Sequence, residues 1–478
     1  MKRETPKSSH VDWLKVRRIL LYILIAAVVI GPSVLVVTLV QTMRRETAFT
    51  PWIERHPGGS IAVLTAPRLM SHDASVSRDG TMIAYIASEP PFLPFGVPQS
   101  AAQRGDESDG KPAYGFLMVE PSRGGRGSYL PLARGCSPVG MPRWSPDGQY
   151  LYVGVWREAN GETLREIWQV AVDGGSLTQV GFGPYDAWPS LSPDGRWIAF
   201  TGTADDRAYV MHADGSRRRL MLDEPITGFT LAWSPDSTKV AFITKSPSER
   251  GLADNAGPRR FRRSRRQPSG REQRLRRALV VYDLHSDKAL RLVKPYVGRQ
   301  VSWSLDSSEA LFASRDYGSS HWGLGGVRSR IGAIRPEPGA KPRWLTPTVD
   351  ETITDPVAIS PDHVAFFSPE LIAVVSSQGG IPQVATREAQ VQREAASVAP
   401  GSPELYYTRP MAGEYPGGAI CRMRFSARFL HTVAANTLDP AALDAVGLWN
   451  GLAREPDVPA IPPTSPLAPR AKEGKRSK

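Results

Sequence analysis

A short turn motif recurs along the chain, and it limits the possible folds more than any other feature. It reads Ser77-Arg78-Asp79-Gly80 before TMIAYIA, Ser145-Pro146-Asp147-Gly148 before QYLYVGV, and Ser192-Pro193-Asp194-Gly195 before RWIAFTG. It returns as Ser234-Pro235-Asp236-Ser237 before TKVAFIT, Ser304-Leu305-Asp306-Ser307 before SEALFAS, and Ser360-Pro361-Asp362 before HVAFFSP. The Asp positions are separated by 68, 47, 42, 70 and 56 residues, so the basic unit is the length of the two shortest steps. Repetition at this period is the signature of a repeat architecture.

Each unit has a physical account. Pro presets φ at the second position of a type I turn and Gly is relaxed at the fourth. The segment after the turn alternates with period two, as in Leu151, Val153 and Val155 against Tyr150, Tyr152 and Gly154, so it is a strand. Trp144, Trp233 or Trp303 ends a short strand before the turn, where packing between units is the expected role. Most units contain a second hairpin, such as Ile167–Val172 turning at Asp173-Gly174-Gly175 into Leu177–Val180. Two hairpins give a four-stranded antiparallel sheet, the size of a propeller blade. One such sheet cannot bury its own faces, which disfavours a string of separate small domains.

The fold class expected is therefore all-β, a six- or seven-bladed β-propeller with one N-terminal transmembrane helix. Six motifs are clear. Ala396–Ser402 with Glu404–Thr408 looks like a degraded seventh. Ile61–Thr65 looks like the outer strand of a blade whose other strands come from the C-terminal end, a closure that removes free sheet edges.

Residues 19–40 form an uncharged apolar run of 22 residues, long enough at about 1.5 Å per residue to cross a hydrocarbon core. It is longer than the apolar stretch of a cleaved signal and ends without an Ala-x-Ala site, so it reads as a retained anchor. The expected organisation is a cytoplasmic basic tail 1–18, the span 19–40, a linker 41–59, the propeller 60–434 with insertions 89–112 and 246–277, and a disordered Ala/Pro-rich basic tail 435–478. Basic residues ahead of the span place the short tail inside and the bulk outside.

Net charge is formally +12, but the first 18 residues carry +4, Arg259–Arg277 carry +9 and the last nine residues +4, leaving the remainder at −5. The basic character thus belongs to two tails and one insertion. Arg259, Arg260, Arg262, Arg263, Arg265 and Arg266 of that insertion are the candidate electrostatic contact, to anionic lipid or an acidic partner. Only Phe261 interrupts the arginines, so no stacking platform supports nucleic acid as the partner. The two cysteines, Cys136 and Cys421, build no disulfide framework.

The turn, the x-Ile-Ala-Phe strand and the Asp-Gly-Gly hairpin resemble the propeller repeats of the TolB family, a periplasmic component of the Tol-Pal envelope system, and those of prolyl-oligopeptidase-type enzymes. The resemblance covers residues 60 to 410 and implies the fold. TolB-like proteins carry an α/β domain ahead of the propeller, whereas here only a short linker precedes the first repeat. The peptidases add a hydrolase domain, and no Gly-x-Ser-x-Gly with a following α/β stretch occurs here.

Asp79, Asp147, Asp194, Asp236, Asp306 and Asp362 recur once per unit, and their place within the turn gives them a local task, accepting backbone N–H bonds, rather than a metal-binding one. The histidines are scattered; His72, His212, His285, His321 and His363 would form a site only if the ring brought them together. No catalytic, cofactor or metal residues are assigned. The expected function is a protein- or peptide-binding scaffold anchored at the bacterial cytoplasmic membrane and facing the envelope, with a propeller lyase or hydrolase acting on an envelope glycan or peptide as the alternative.

Overall fold

The computed structural model describes residues 51–65, 71–87, 115–125, 127–133, 135–159, 162–181, 183, 186–226, 231–244, 277–293, 297–317, 327–349, 351–387, 397–398, 402–411, 417–446 and 448–449. The expected span 19–40, the tail 1–18, the insertion 89–112, all but one residue of 246–277, and 450–478 lie outside the described residues. Among the described residues no helix is long and apolar enough to cross a membrane.

The chain begins with a hairpin of β1 (Trp52–His56) and β2 (Gly59–Val63). Blade 1 comes next as β3 (Ser71–Val76), β4 (Met82–Ala87), β5 (Phe116–Pro121) and β6 (Ser128–Leu130). Blade 2 is β7 (Cys136–Trp144), β8 (Tyr150–Ala159), β9 (Glu162–Ala171) and β10 (Leu177–Gln179). Blade 3 is β11 (Asp186–Leu191), β12 (Trp197–Gly202), β13 (Arg207–His212) and β14 (Arg219–Pro225), and blade 4 is β15 (Ala232–Trp233), β16 (Lys239–Ile243), β17 (Leu279–Asp283) and β18 (Lys288–Val293). Blade 5 holds β19 (Val297–Trp303), β20 (Ala310–Tyr317) and β21 (Val327–Ile334), with β22 (Arg343–Trp344) and β23 (Thr348–Val349) both pairing with β21. Blade 6 is β24 (Thr354–Ser360), β25 (His363–Phe367), β26 (Leu371–Ser376) and β27 (Gln383–Arg387). The closing blade combines β28 (Ser397–Val398), β29 (Glu404–Met411) and β30 (Gly417–Phe425) with β2 and then β1.

The innermost strands β3, β7, β11, β15, β19, β24 and β28 each neighbour the next, and β28 neighbours β3, so seven blades close a ring. The open choice between six and seven blades resolves to seven. The degraded motif near Ser397 is the inner half of the seventh. Its outer strand comes from the other end of the chain: β2 pairs with β30, Ile61 opposite Met423 and Val63 opposite Cys421. The two cysteines sit in different blades and are not bonded to each other.

Two ends differ from expectation. The linker 41–59 gives way to an ordered strand at Trp52, because Trp52, Glu54 and His56 share one face of β1 and each finds a partner. Arg409 donates to both Glu54 oxygens at 2.9 and 3.0 Å, Trp52 Nε1 donates to Glu54 at 2.8 Å, and His56 Nδ1 lies 2.8 Å from Thr386 Oγ1 in blade 6. Beyond 434 the chain continues as the end of α1 (Ala427–Ala435), then α2 (Pro440–Ala445) and β31 (Leu448–Trp449), which pairs in parallel with β23. Ser426 caps α1 and Asp439 caps α2, each accepting from a first-turn N–H, and Phe429 and Val433 bury α1 against blades 6 and 7.

The core lies between blades rather than within any one of them. Val210 and Ala199 of blade 3 pack on Phe242, Val240, Val280 and Tyr282 of blade 4, and the same pattern recurs at the other seams. In blades 1 to 6 the recurrent turn joins the first strand to the second and brings the chain back. The tight turns therefore share one face, called here the turn face. Connections from second to third strands lie on the opposite, insertion face, where the chain leaves β4 at Ala87 and returns at Phe116, and leaves β16 at Ile243 and returns at Leu279. Thr244 and Ala278 bond to each other at the base of the second connection, Ala278 N to Thr244 Oγ1 at 2.9 Å and Thr244 N to Ala278 O at 3.0 Å, so the Arg-rich insertion departs and returns at one point.

Candidate functional site

The turn face is a set of repeated locks. In five of the turns the leading serine donates to the aspartate at 2.5–2.6 Å, as in Ser77 to Asp79 and Ser192 to Asp194. The same carboxylates accept a backbone N–H two residues on, from Thr81, Gln149, Arg196, Thr238 and Ser308, each at 3.0 Å. Hydrogen bonds to the charged form hold Asp79, Asp147 and Asp306 below the usual carboxylate range, the serine hydroxyl contributing most. Asp362 departs from the pattern: its turn is shorter, and Ser360 Oγ lies 2.8 Å from His363 Nδ1 instead. The aspartates of these five turns are spaced around the ring, and each is engaged within its own turn through Oδ1, which gives them a structural task.

The turns also join neighbouring blades. Asp194 N donates to Ser237 Oγ at 3.0 Å and Asp236 N to Ser307 Oγ at 2.9 Å. The three equivalent tryptophans reach back one blade each: Trp144 Nε1 to Ser75 O at 3.2 Å, Trp233 Nε1 to Ser190 O at 2.7 Å, and Trp303 Nε1 to Ala232 O at 2.9 Å. Their rings fill the seams and their N–H groups are committed.

Near the insertion face the innermost strands lose this regularity. β3, β7, β11, β19 and β24 each break register with the next strand, between His72 and Ser75, Val139 and Arg143, Ala187 and Ser190, Val297 and Val301, and Thr354 and Val357. Asp73, Gly140, Trp188 and Asp355 occupy the breaks with φ between 52° and 71°. Three of these four are not glycine, and an L residue held in the left-handed region costs about 1–3 kcal/mol, a strain found where backbone is shaped for a purpose. A bulge leaves ladder groups unpaired, here beside the central channel. At Gly140 even a Cβ would meet the Trp188 ring at 2.8 Å, so the blade 3 tryptophan is seated in a notch of blade 2.

Around that notch lies a cluster of charged and aromatic side chains. The Arg165 guanidinium sits 5.4 Å from the Trp156 ring centre and 5.9 Å from that of Trp188. Burial pushes Arg165 down from its ordinary value, and Asp206 opposes this. Glu166, buried, is paired with Arg157 and accepts from Trp168 Nε1 at 2.9 Å. Asp186, also buried, has its carboxyl raised by desolvation against the pull of Arg218 at 3.1 Å. Acidic groups in the cluster are engaged by arginines, so the arrangement suits contact with a surface better than proton transfer.

The histidines do not gather. His72 Nδ1 lies 2.9 Å from Asp73 Oδ2 in blade 1, His212 packs edge-on against Trp197 in blade 3, and His363 in blade 6 holds α1 through Leu430 O at 2.9 Å. His321 lies outside the described residues, as do Arg259, Arg260, Arg262, Arg263, Arg265 and Arg266. Among the described residues no three His, Cys, Asp or Glu side chains are grouped so as to hold a metal ion.

Arg143 escaped attention in the sequence although its signal was there. Two residues ahead of the motif serine, where blade 2 has Arg143, the other motifs carry Ser75, Ser190, Ala232, Ser302 and Ala358, all small. Only blade 2 places a cation at this position of the motif.

Family models and curated proteins give no match to the chain. Among solved structures, a putative TolB from Agrobacterium tumefaciens is 16% identical, covering 62% of this chain and 94% of its own with a TM-score of 0.36. TolB from Acinetobacter baumannii is 15% identical, covering 72% of this chain and 81% of its own with a TM-score of 0.36. An oligogalacturonate lyase from Vibrio parahaemolyticus is 10% identical, covering 80% of this chain and 97% of its own with a TM-score of 0.38. At such distances the likeness is one of fold alone, and the blade count rests on this chain's own strand pairing.

Proposed function

We propose that the chain is a membrane-anchored, extracytoplasmic propeller that binds a protein or peptide on its insertion face, as a scaffold in a bacterial cell envelope. One observation carries the reading: the two faces are built differently. The turn face spends its polar groups on itself, blade by blade. The insertion face combines bulged inner strands, a tryptophan-arginine cluster and the roots of the long connections, which is where a rigid scaffold places binding residues. Residues 19–40 supply the anchor, and the Arg-rich insertion, rooted at Thr244 and Ala278, supplies an electrostatic contact to an acidic partner or anionic lipid.

The test is cross-linking and co-purification from membranes, comparing the full chain with one lacking residues 258–277. A partner that is captured by the full chain, and lost or weakened by the deletion in a salt-dependent way, supports the reading. Identical capture by both removes the insertion's role. Failure of the full chain to retain any partner contradicts the scaffold.

A further inference from the structure

The Arg143 side chain is enclosed with no ion-pair partner among the described residues. It stands on β7, the innermost strand of blade 2, one residue before Trp144. Its neighbour across the pair, Tyr152, packs toward blade 3, yet the charge that acts on Arg143 is Asp73 of blade 1. β7 is the innermost strand of its blade, so a guanidinium influenced from both neighbouring blades stands beside the central channel. Arg143 is only partly buried by exposed area, but protein surrounds it deeply enough that desolvation lowers it to about 10, with Asp73 opposing. Both observations fit a group lining a narrow channel. Nε is buried without a hydrogen-bond partner, and the guanidinium has no ion-pair partner among the described residues. Ser75, at the equivalent register of β3 and 5% exposed, also has a hydroxyl without a partner.

Native proteins rarely leave such groups unsatisfied, because an enclosed charge lacking a partner is strongly destabilising. The five other motifs show that a small residue fits this position, so the arginine is not required by the ring. The geometry points to a subsite in the central channel, between blades 1 and 2, in which Arg143 binds a carboxylate of an acidic peptide segment. The inference rests on the scaffold reading above and specifies its ligand, with the bound segment entering the channel from the insertion face and reaching toward the turn-face end of β7, where Arg143 stands.

Three features select that ligand. The planar guanidinium matches a carboxylate through two parallel N–H bonds. Asp73, near enough to act on Arg143, disfavours a doubly charged phosphate more than a singly charged carboxylate. A peptide fits better than an acidic sugar, because Trp144, Trp233 and Trp303 are packed in the seams and Trp188 flanks Arg165, leaving none of them as a platform for a sugar ring. The bulged inner strands instead offer backbone groups to an extended chain.

The experiment measures binding to the purified full chain in detergent by calorimetry, using an end-capped (Gly-Glu)4 peptide, its (Gly-Gln)4 counterpart, an oligogalacturonate and inorganic phosphate. The Glu peptide is expected to bind and the Gln peptide to bind at least tenfold more weakly. Arg143→Met should remove this preference and Arg143→Lys restore part of it. Without peptide, Arg143→Met should melt at the same temperature as the parent or higher, since an unpaired enclosed charge has been removed. Equal binding of the Glu and Gln peptides, full Glu-peptide affinity in Arg143→Met, or a melting temperature lowered by that change would overturn the subsite. Arg143-dependent binding of oligogalacturonate or phosphate without the Glu peptide would overturn the peptide assignment. If the full chain retains its membrane partner equally with Arg143→Met, the subsite fails while the scaffold stands. If the full chain has no partner, the scaffold itself fails.

Discussion

The two faces of the ring use similar residues for opposite ends. On the turn face Trp233 is buried and donates its N–H to Ser190 O at 2.7 Å, while on the insertion face Trp156 is partly exposed and its buried Nε1 has no partner among the described residues. Carboxylates differ in the same way: Asp147 is satisfied within its own turn, whereas Asp186 and Glu166 need an arginine from elsewhere in the sheet. One face has been saturated by a repeated local motif, and the other has been left with strained backbone and groups held in pairs. A ring needs only one face locked to stay closed, which frees the other for insertions.

That contrast can be broken first with the tryptophans. Trp233→Ala should cost about 3–5 kcal/mol, because it opens a cavity in the seam and orphans a buried carbonyl. Urea unfolding followed by circular dichroism reads it, and a loss below about 1 kcal/mol would mean that the turn face does not hold the ring.

The turn face should also set both pH limits of the fold. Glu120, at the turn-face end of β5 with the Tyr85 hydroxyl 3.3 Å away, is raised by burial to about 8. A raised carboxyl contributes stability that is fully present below its unfolded value of about 4.3. That contribution is lost as pH rises toward 8. Glu120→Gln should therefore raise the urea midpoint at pH 8 and leave it nearly unchanged at pH 4, an effect smaller than that of Trp233. A midpoint shift independent of pH would show that Glu120 is ionised throughout.

At the acid end the signs reverse. Asp79, Asp147 and Asp306 are depressed, the leading serine hydroxyl being the main cause, so their contribution is present above the unfolded value of about 3.9 and disappears as pH falls below it. Asp147→Asn should cost about 1 kcal/mol at pH 7 and flatten the acid unfolding curve. An unchanged acid slope would remove these turns from the low-pH limit.

The smallest effect is expected on the insertion face. Trp156→Ala should change stability by less than about 1 kcal/mol, since the ring is partly exposed and its N–H makes no bond to lose. A loss comparable to that of Trp233 would erase the difference between the faces.

Much of this fold was legible because its information is local. A turn motif followed by an alternating strand predicts blades, and Ile61–Thr65 was readable as a closing strand because it lacked a motif of its own. The features that escaped depend on contacts distant in sequence. β1 looked like linker because its partners, Arg409 and Thr386, lie more than 300 residues away. The seventh blade was obscured because its turn had lost both Asp and Gly. The bulges carry Asp73, Trp188 and Asp355, residues that do not announce a positive φ. Arg143 was detectable, but only by aligning the motifs one column upstream of the tryptophan and asking why one charge interrupts a run of small residues.

The account stands on the claim that this ring binds with one face and holds itself together with the other. A photo-cross-linking amino acid placed at Glu158, exposed on the β8–β9 hairpin, and separately at Leu305, 46% exposed in a turn of the opposite face, tests it in membranes. The expected result is a partner adduct from position 158 and none from 305. Adducts from 305 with none from 158 would contradict it.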